Sequence, residues 1–302
     1  MKIVQSFWSK PMLMNDNSDA IFRSNGGWTD RIYFYMSWAL SCLKFKEIYN
    51  EIELVTDING KHLLYDILEL PYTNVVTKLD DLNDYNHNLW ALGKLYAYKL
   101  QQEPFIHVDS DVFAWKKFPE KVLSSELIGQ NYESNYRCNI EYFNKIKYLL
   151  DYIPTEILQE TRDTEDIIQV NAGILGGNNI SFFKDYVNTA FEMVEKNSTL
   201  FNKYPNNKGA FNMVYEQFLF YCMAKARKSK ITVLLEENMI NHSGLADFEQ
   251  IPANKYYAHT LGTYKKFFYI GRYIAERLFL EYPEYYLSLI HISEPTRLRR
   301  IS

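Results

Sequence analysis

Short apolar runs, each closed by polar or turn-forming residues and separated by stretches of helical spacing, recur along almost the whole chain. This alternation constrains the fold more than any other feature. KIVQSF opens the chain as an apolar run of strand length, and ELVTD (53–57), NVVT (74–77), FIHV (105–108), ELIGQN (126–131), 168–175 and 231–236 repeat the pattern. Between them the spacing predicts helices from an N-cap at Thr29 to about Lys46, then over 62–70, 89–101, 209–228 and 267–282. Pro104 stops the third of these, and Asn59-Gly60 reads as a turn. Strands separated by helices predict an α/β fold with a mostly parallel, helix-covered central sheet. Ligands in such folds sit beyond the carboxyl ends of the strands. Polar residues just after strands are therefore where chemistry is expected. No low-complexity linker, internal repeat or domain boundary interrupts the chain.

Composition narrows the functional classes. A chain of 302 residues that is 47% apolar and 23% charged has ample core and is not disordered. A net charge of −4 argues against a protein that coats nucleic acid with a basic surface. Cysteines 42, 138 and 222 are an odd, widely spaced set without a CxxC pair, which predicts a reduced, cytoplasmic chain and no cysteine zinc site. MKIVQSFWSK lacks the pattern of a secretion signal. The longest apolar stretch, 32–43, contains two serines and is too short for a transmembrane segment.

Two segments carry chemistry. In FIHVDSDVF, Asp109 and Asp111 follow a buried-type strand at i and i+2, so in extended backbone they share a face. Close like charges beside an apolar strand need a counter-ion, and hard oxygen ligands suit Mg²⁺ or Mn²⁺. An Asp-rich surface turn or helix cap fits the same residues. The second segment, His259-Thr260-Leu261-Gly262-Thr263-Tyr264-Lys265, spaces an imidazole, a glycine and a cation at i, i+3 and i+6. It fits a phosphate-binding loop, or a loop with a packed histidine and solvated lysines.

Taken together, Asp109-x-Asp111 and His259-x-x-Gly262-x-x-Lys265 resemble the nucleotide-sugar site of GT-A glycosyltransferases, with the closest likeness to family-eight enzymes of the galactosyltransferase and glycogenin type. The resemblance implies that Asp109, Asp111 and His259 hold Mn²⁺ or Mg²⁺ and that Lys265 contacts the diphosphate of a UDP-sugar donor. Three intermediate segments follow the family's order. Lys94 resembles the basic residue that precedes the metal motif on a helix. Asn171-Ala172-Gly173 resembles the segment beside the donor sugar. Glu216-Gln217 stands where Asp-Gln is common, facing the reacting carbon. The implied activity is sugar transfer to a glycan or other hydroxyl acceptor with retention of configuration, in bacterial polysaccharide assembly. Lys266-Phe267 replaces the family's Pro-Trp, and Glu216 its usual aspartate, so a sugar-binding module without turnover remains an alternative. A haloacid-dehalogenase phosphatase also places Asp-x-Asp after a strand, but it wants Thr or Val where this chain has Phe113.

Trp8, Trp28, Trp90 and Trp115 read as core or rim residues, and His62, His87 and His107 as structural. His242, in 241–244, is a reserve metal candidate on a loop shaping the acceptor side. Residues 287–302 resemble a translated sequencing adapter, so a single domain over 1–286 is expected. That tail has one glutamate against three arginines, and without it the charge is −6 rather than −4.

Overall fold

The computed structural model describes residues 1–14, 25–134, 137–162, 166–203, 208–235 and 245–293. Ten strands are described: β1 (Lys2–Phe7), β2 (Ile52–Thr56), β3 (Asn74–Thr77), β4 (Phe105–Val108), β5 (Val112–Ala114), β6 (Leu127–Glu133), β7 (Gln169–Val170), β8 (Ile174–Gly177), β9 (Ile231–Leu235) and β10 (Tyr257–His259). Eight of them form one sheet in the order β3-β2-β1-β4-β8-β6-β7, with β9 paired to β6. The first four run parallel. β8 opposes β4, β6 opposes β8 and so returns to the first direction, and β9 is parallel to β6. Only β7 and β8 are reversed, so the sheet is mixed but mostly parallel.

Strand periodicity divides the interior into two cores. Successive side chains leave opposite faces of a strand. Accordingly Val4, Val55, Phe105, Leu127 and Leu175 enter one cluster. Their neighbours Ile3, Leu54, Ile106, Ile128 and Ile174 enter the other. Helices Leu92–Leu100 and Ile180–Lys196 cover the first face, and Arg31–Ile48 and Phe268–Glu281 the second. None of the described helices is long and apolar enough to cross a membrane.

Several local expectations change. The first long helix is capped by Asp30, not Thr29, because the Asp30 carboxylate accepts the Ile32 N–H at 2.9 Å. Asn59-Gly60 is not a turn between elements. Asp57 accepts the Gly60 N–H at 2.7 Å and starts the helical turn Ile58–Lys61, which continues as the π-helical His62–Ile67. The run expected as one strand over 168–175 is two strands, β7 and β8. At its centre the Asn171 side chain accepts the Gly173 N–H at 3.0 Å, closing a turn. The helix expected over 209–228 consists of Lys208–Met213, a π-turn Val214–Phe218 and Leu219–Ala226. A closing helix, Pro283–Ser293, extends beyond the last one anticipated.

Candidate active site

The Asp109–Asp111 turn stands at the carboxyl end of β4, where strand direction places ligands. The Asp109 N–H donates to the Gly173 carbonyl at 2.9 Å, and the Val112 N–H donates back to the Asp109 carbonyl at 3.1 Å. The chain then enters β5, which pairs antiparallel with β10, setting His259 opposite Val112. The Thr260 N–H donates to the Asp111 carbonyl at 3.0 Å. This two-stranded ribbon joins segments 150 positions apart. One ligand atom from each of Asp109, Asp111 and His259 lies within 4.8 Å of the others.

The histidine is oriented by a residue that the sequence did not single out. Gln130 Oε1 lies 2.7 Å from His259 Nδ1. A side-chain amide oxygen only accepts, so Nδ1 carries a proton and Nε2 is the nitrogen turned to Asp111 Oδ1, 3.4 Å away. Gly173 lies against the ring. A Cβ there would overlap His259 Cε1 and stand 2.7 Å from Nδ1.

Each carboxylate has its own lysine. Lys265 Nζ is 2.8 Å from Asp111 Oδ2, and Lys94 Nζ bridges Asp109 at 2.9 Å and Glu216 at 3.0 Å. Burial favours the neutral form of Asp111, but Lys265 and His259 outweigh it and hold its carboxyl far below the usual range. Asp109 moves the other way: burial and the charge of Asp111 raise it against the pull of Lys94. Burial, reinforced by Asp109, also raises Glu216. Desolvation would lower Lys94, but Asp109 and Glu216 raise it further and keep it charged. His107, buried behind the pair, contacts Ser6 Oγ at 2.9 Å; burial, then Lys94, holds it neutral.

Nine of the ten residues expected at the site line one cavity of about 670 Å³. They are Asp109, Asp111 and His259, the lysines Lys94 and Lys265, and Asn171, Gly173, Gln217 and Gly262. Glu216 is the tenth. It is wholly buried behind Lys94, whose ammonium is its charged partner at 3.0 Å. It sits in the π-turn Val214–Phe218, a backbone irregularity common at functional sites. The wall also includes Glu133, another residue unmarked by the sequence reading. Asn171 donates to it at 2.8 Å and Gln169 at 2.7 Å. The signal for Gln130 was its polarity within the 126–131 run; Glu133 lies two residues past that run, at the end of β6. Trp28 is buried beneath Lys265, whose Nζ is 5.8 Å from the indole centroid. Trp115 is remote and donates to Glu281. His242 and its loop lie outside the described residues.

Two carboxylates that repel one another, joined by an imidazole with Nε2 turned inward, form a donor set that fits a hard divalent cation. With two lysines alongside, the arrangement can hold a charged, phosphate-rich ligand in a pocket closed on one side by neutral amides.

The chain belongs to a family of unknown function, DUF6734, whose model matches residues 1–292. No curated protein matches it in sequence. Among solved structures, it is similar to mouse xyloside xylosyltransferase 1 in its apo form, at 12% identity and a TM-score of 0.42, covering 85% of this chain and 96% of that one. It is also similar to the glycosyltransferase GlyE of Streptococcus pneumoniae TIGR4, at 11% identity and a TM-score of 0.42, covering 96% and 63%. An active-site mutant of LgtC is similar at 11% identity and a TM-score of 0.37, covering 71% and 70%.

Proposed function

We propose that this protein is a glycosyltransferase that moves a sugar from a nucleoside-diphosphate sugar, with UDP as the nucleotide, to the hydroxyl of a glycan or similar acceptor, retaining the anomeric configuration. The observation that carries this reading is the convergence of Asp109, Asp111 and His259 within 4.8 Å at the end of β4, in the cavity that Lys94 and Lys265 also line. Asp109, Asp111 and His259 hold Mn²⁺ or Mg²⁺, which when bound neutralises charge developing on the departing diphosphate. Lys265 adds a second cation for the phosphates, and Gly262, at a φ of 53°, lets the backbone approach them closely. Gly173 keeps the space that the His259 ring occupies. Asn171 and Gln217 present amides to the donor sugar. Glu216 acts from behind, holding Lys94 in place between itself and Asp109. Free, buried thiols at Cys42 and Cys222 accord with a reducing cytoplasmic location.

The test is thermal stability with UDP and UDP-sugars, with and without Mn²⁺, followed by turnover across a donor panel. A nucleotide sugar at 100 times its Kd adds roughly 2.7 kcal/mol of stability. Asp111→Asn is expected to remove the Mn²⁺-dependent part of that shift. Absence of any Mn²⁺-dependent shift in the native protein would overturn the reading. Binding without turnover across the panel would favour a sugar-nucleotide-binding module.

A further inference from the structure

Beyond the charged cluster, the cavity wall has a different chemistry. Trp90 and Tyr142 both line it, yet they keep 41% and 38% of their surface exposed. In contrast, Trp8, Trp28 and Trp38 are buried. The exposed indole is not on a loose loop. Buried Asn212 accepts the Ala91 N–H at 2.9 Å and donates to the Asn88 carbonyl at 2.8 Å, gripping the backbone on both sides of Trp90. Asn86 accepts both the N–H and the side-chain amide of Asn88 at 3.0 Å. The same Asn212 lies on the Lys208–Met213 helix, against which the Tyr142-bearing helix Arg137–Ile146 packs. Two aromatic side chains are thus carried into one cavity by backbone fixed through a common support.

The polar groups on this part of the wall include Asn88, Asn139 and Glu133. Two lysines, Lys94 and Lys265, are found among the lining residues, and both are paired with the Asp109–Asp111 cluster. Lys145, 5.9 Å from the centre of the Tyr142 ring, does not line the cavity. The lysines that could meet an anion are already paired, and an acyl chain would desolvate this polar wall without offering it a hydrogen bond. A pyranose ring fits both halves of the wall. Its C–H faces are apolar and pack on aromatic planes, and its hydroxyls donate to and accept from amides and carboxylates.

We infer that Trp90 and Tyr142 form an aromatic platform for a neutral carbohydrate, with Asn88, Asn139 and Glu133 hydrogen-bonding its hydroxyls. Its role as the acceptor site rests on the glycosyl-transfer reading; its ability to bind a neutral saccharide does not.

Saturation-transfer NMR on the whole protein, with lactose, maltotriose and xylobiose as probes and glucose 6-phosphate as the anionic comparison, tests it. At least one neutral saccharide is expected to receive saturation. Trp90→Ala and Tyr142→Ala, each confirmed as folded by its melting transition, are expected to weaken that saccharide's binding about tenfold. Trp90→Phe, which keeps an aromatic face, is expected to retain most of it. Saturation of glucose 6-phosphate alone, of no probe, or equally in both alanine variants would overturn the platform. Calorimetry of UDP with Mn²⁺ is run in parallel. If UDP fails to bind while saccharides do, the transfer reading falls and the carbohydrate site stands; the reverse result removes the platform and leaves the transfer reading.

Discussion

Gly173→Ala is the substitution most damaging to the candidate metal site for the fewest added atoms. Its Cβ would overlap His259 Cε1 and lie 2.7 Å from Nδ1 and 2.9 Å from Gln130 Oε1. Ordinary contacts of a Cβ begin near 3.4 Å, so the ring must move by roughly 1 Å. It cannot do so freely. Gln130 holds Nδ1, and the β5–β10 pairing holds the backbone of His259. Metal–ligand distances tolerate about 0.2 Å, so a shift of this size removes the imidazole from the donor set. Disturbing only an outer partner of a ligand costs about 10- to 100-fold in metal affinity. Displacing the ligand itself is expected to cost at least about 100-fold, equivalent to about 2.8 kcal/mol. Overpacking adds about 1–3 kcal/mol of lost fold stability. Calorimetric titration of Mn²⁺ in the presence of UDP reads the first effect, and thermal unfolding without metal reads the second. Mn²⁺ affinity within about threefold of the native protein, in a folded Gly173→Ala variant, would refute the assignment of this space to a ligating histidine.

Gln130→Leu is expected to leave the fold intact and weaken Mn²⁺ binding by about 10- to 100-fold, since His259 loses the acceptor that fixes its tautomer; the same titration measures it. Lys94→Met leaves Asp109 and Glu216 buried without their shared cation and is expected to cost about 3–5 kcal/mol at neutral pH, read by denaturant unfolding. That cost should shrink on acidification. Glu216 has its folded-state pKa raised, so the native state binds more protons than the unfolded one, and stability is regained as pH falls through that raised value, completely below the unfolded value near 4.5. Gly209→Ala, in the Lys208–Met213 helix with nothing within 4 Å of the added carbon, is expected to raise stability by about 0.4–1 kcal/mol in the same assay.

The parts of the molecule that were legible in the sequence are those in which a single period governs enough residues. Parallel strands buried on both faces read as largely apolar runs, which is why β1, β2 and β4 stand out. β5 and β10 have three residues each and carry no usable period. Yet their pairing is what brings His259 to Asp111, so the assembly of the site depended on its least visible elements. Chain order alone suggested the connection, through the resemblance that linked the two segments. Gln130 and Glu133 were missed for a different reason. Polar residues in a strand ordinarily mark a face turned to water, whereas here Gln130 is buried against His259, and Glu133, on the cavity wall, accepts from Asn171. Glu216 exposes the opposite limit. Its position in the chain suggested contact with a ligand, but the π-turn places it behind Lys94, with no surface in the cavity.

That hidden carboxylate matters to the charge of the site. Asp109, Asp111 and Glu216 bring three negative charges against the two positive charges of Lys94 and Lys265, with His259 neutral when its Nε2 lone pair is offered to a cation. With the ring neutral, the metal-free cluster stands at about −1, which disfavours a diphosphate. A divalent cation reverses the sign to about +1, so anion affinity and metal affinity become one coupled property. Glu216 sets where that reversal lies: with a neutral residue in its place, the metal-free cluster would already be near zero. Glu216→Gln should therefore bind UDP more tightly than the native protein in the absence of Mn²⁺, and gain less from adding it. Calorimetry with and without the metal measures both quantities. Equal Mn²⁺ enhancement in the two proteins would show that the buried carboxylate contributes packing alone.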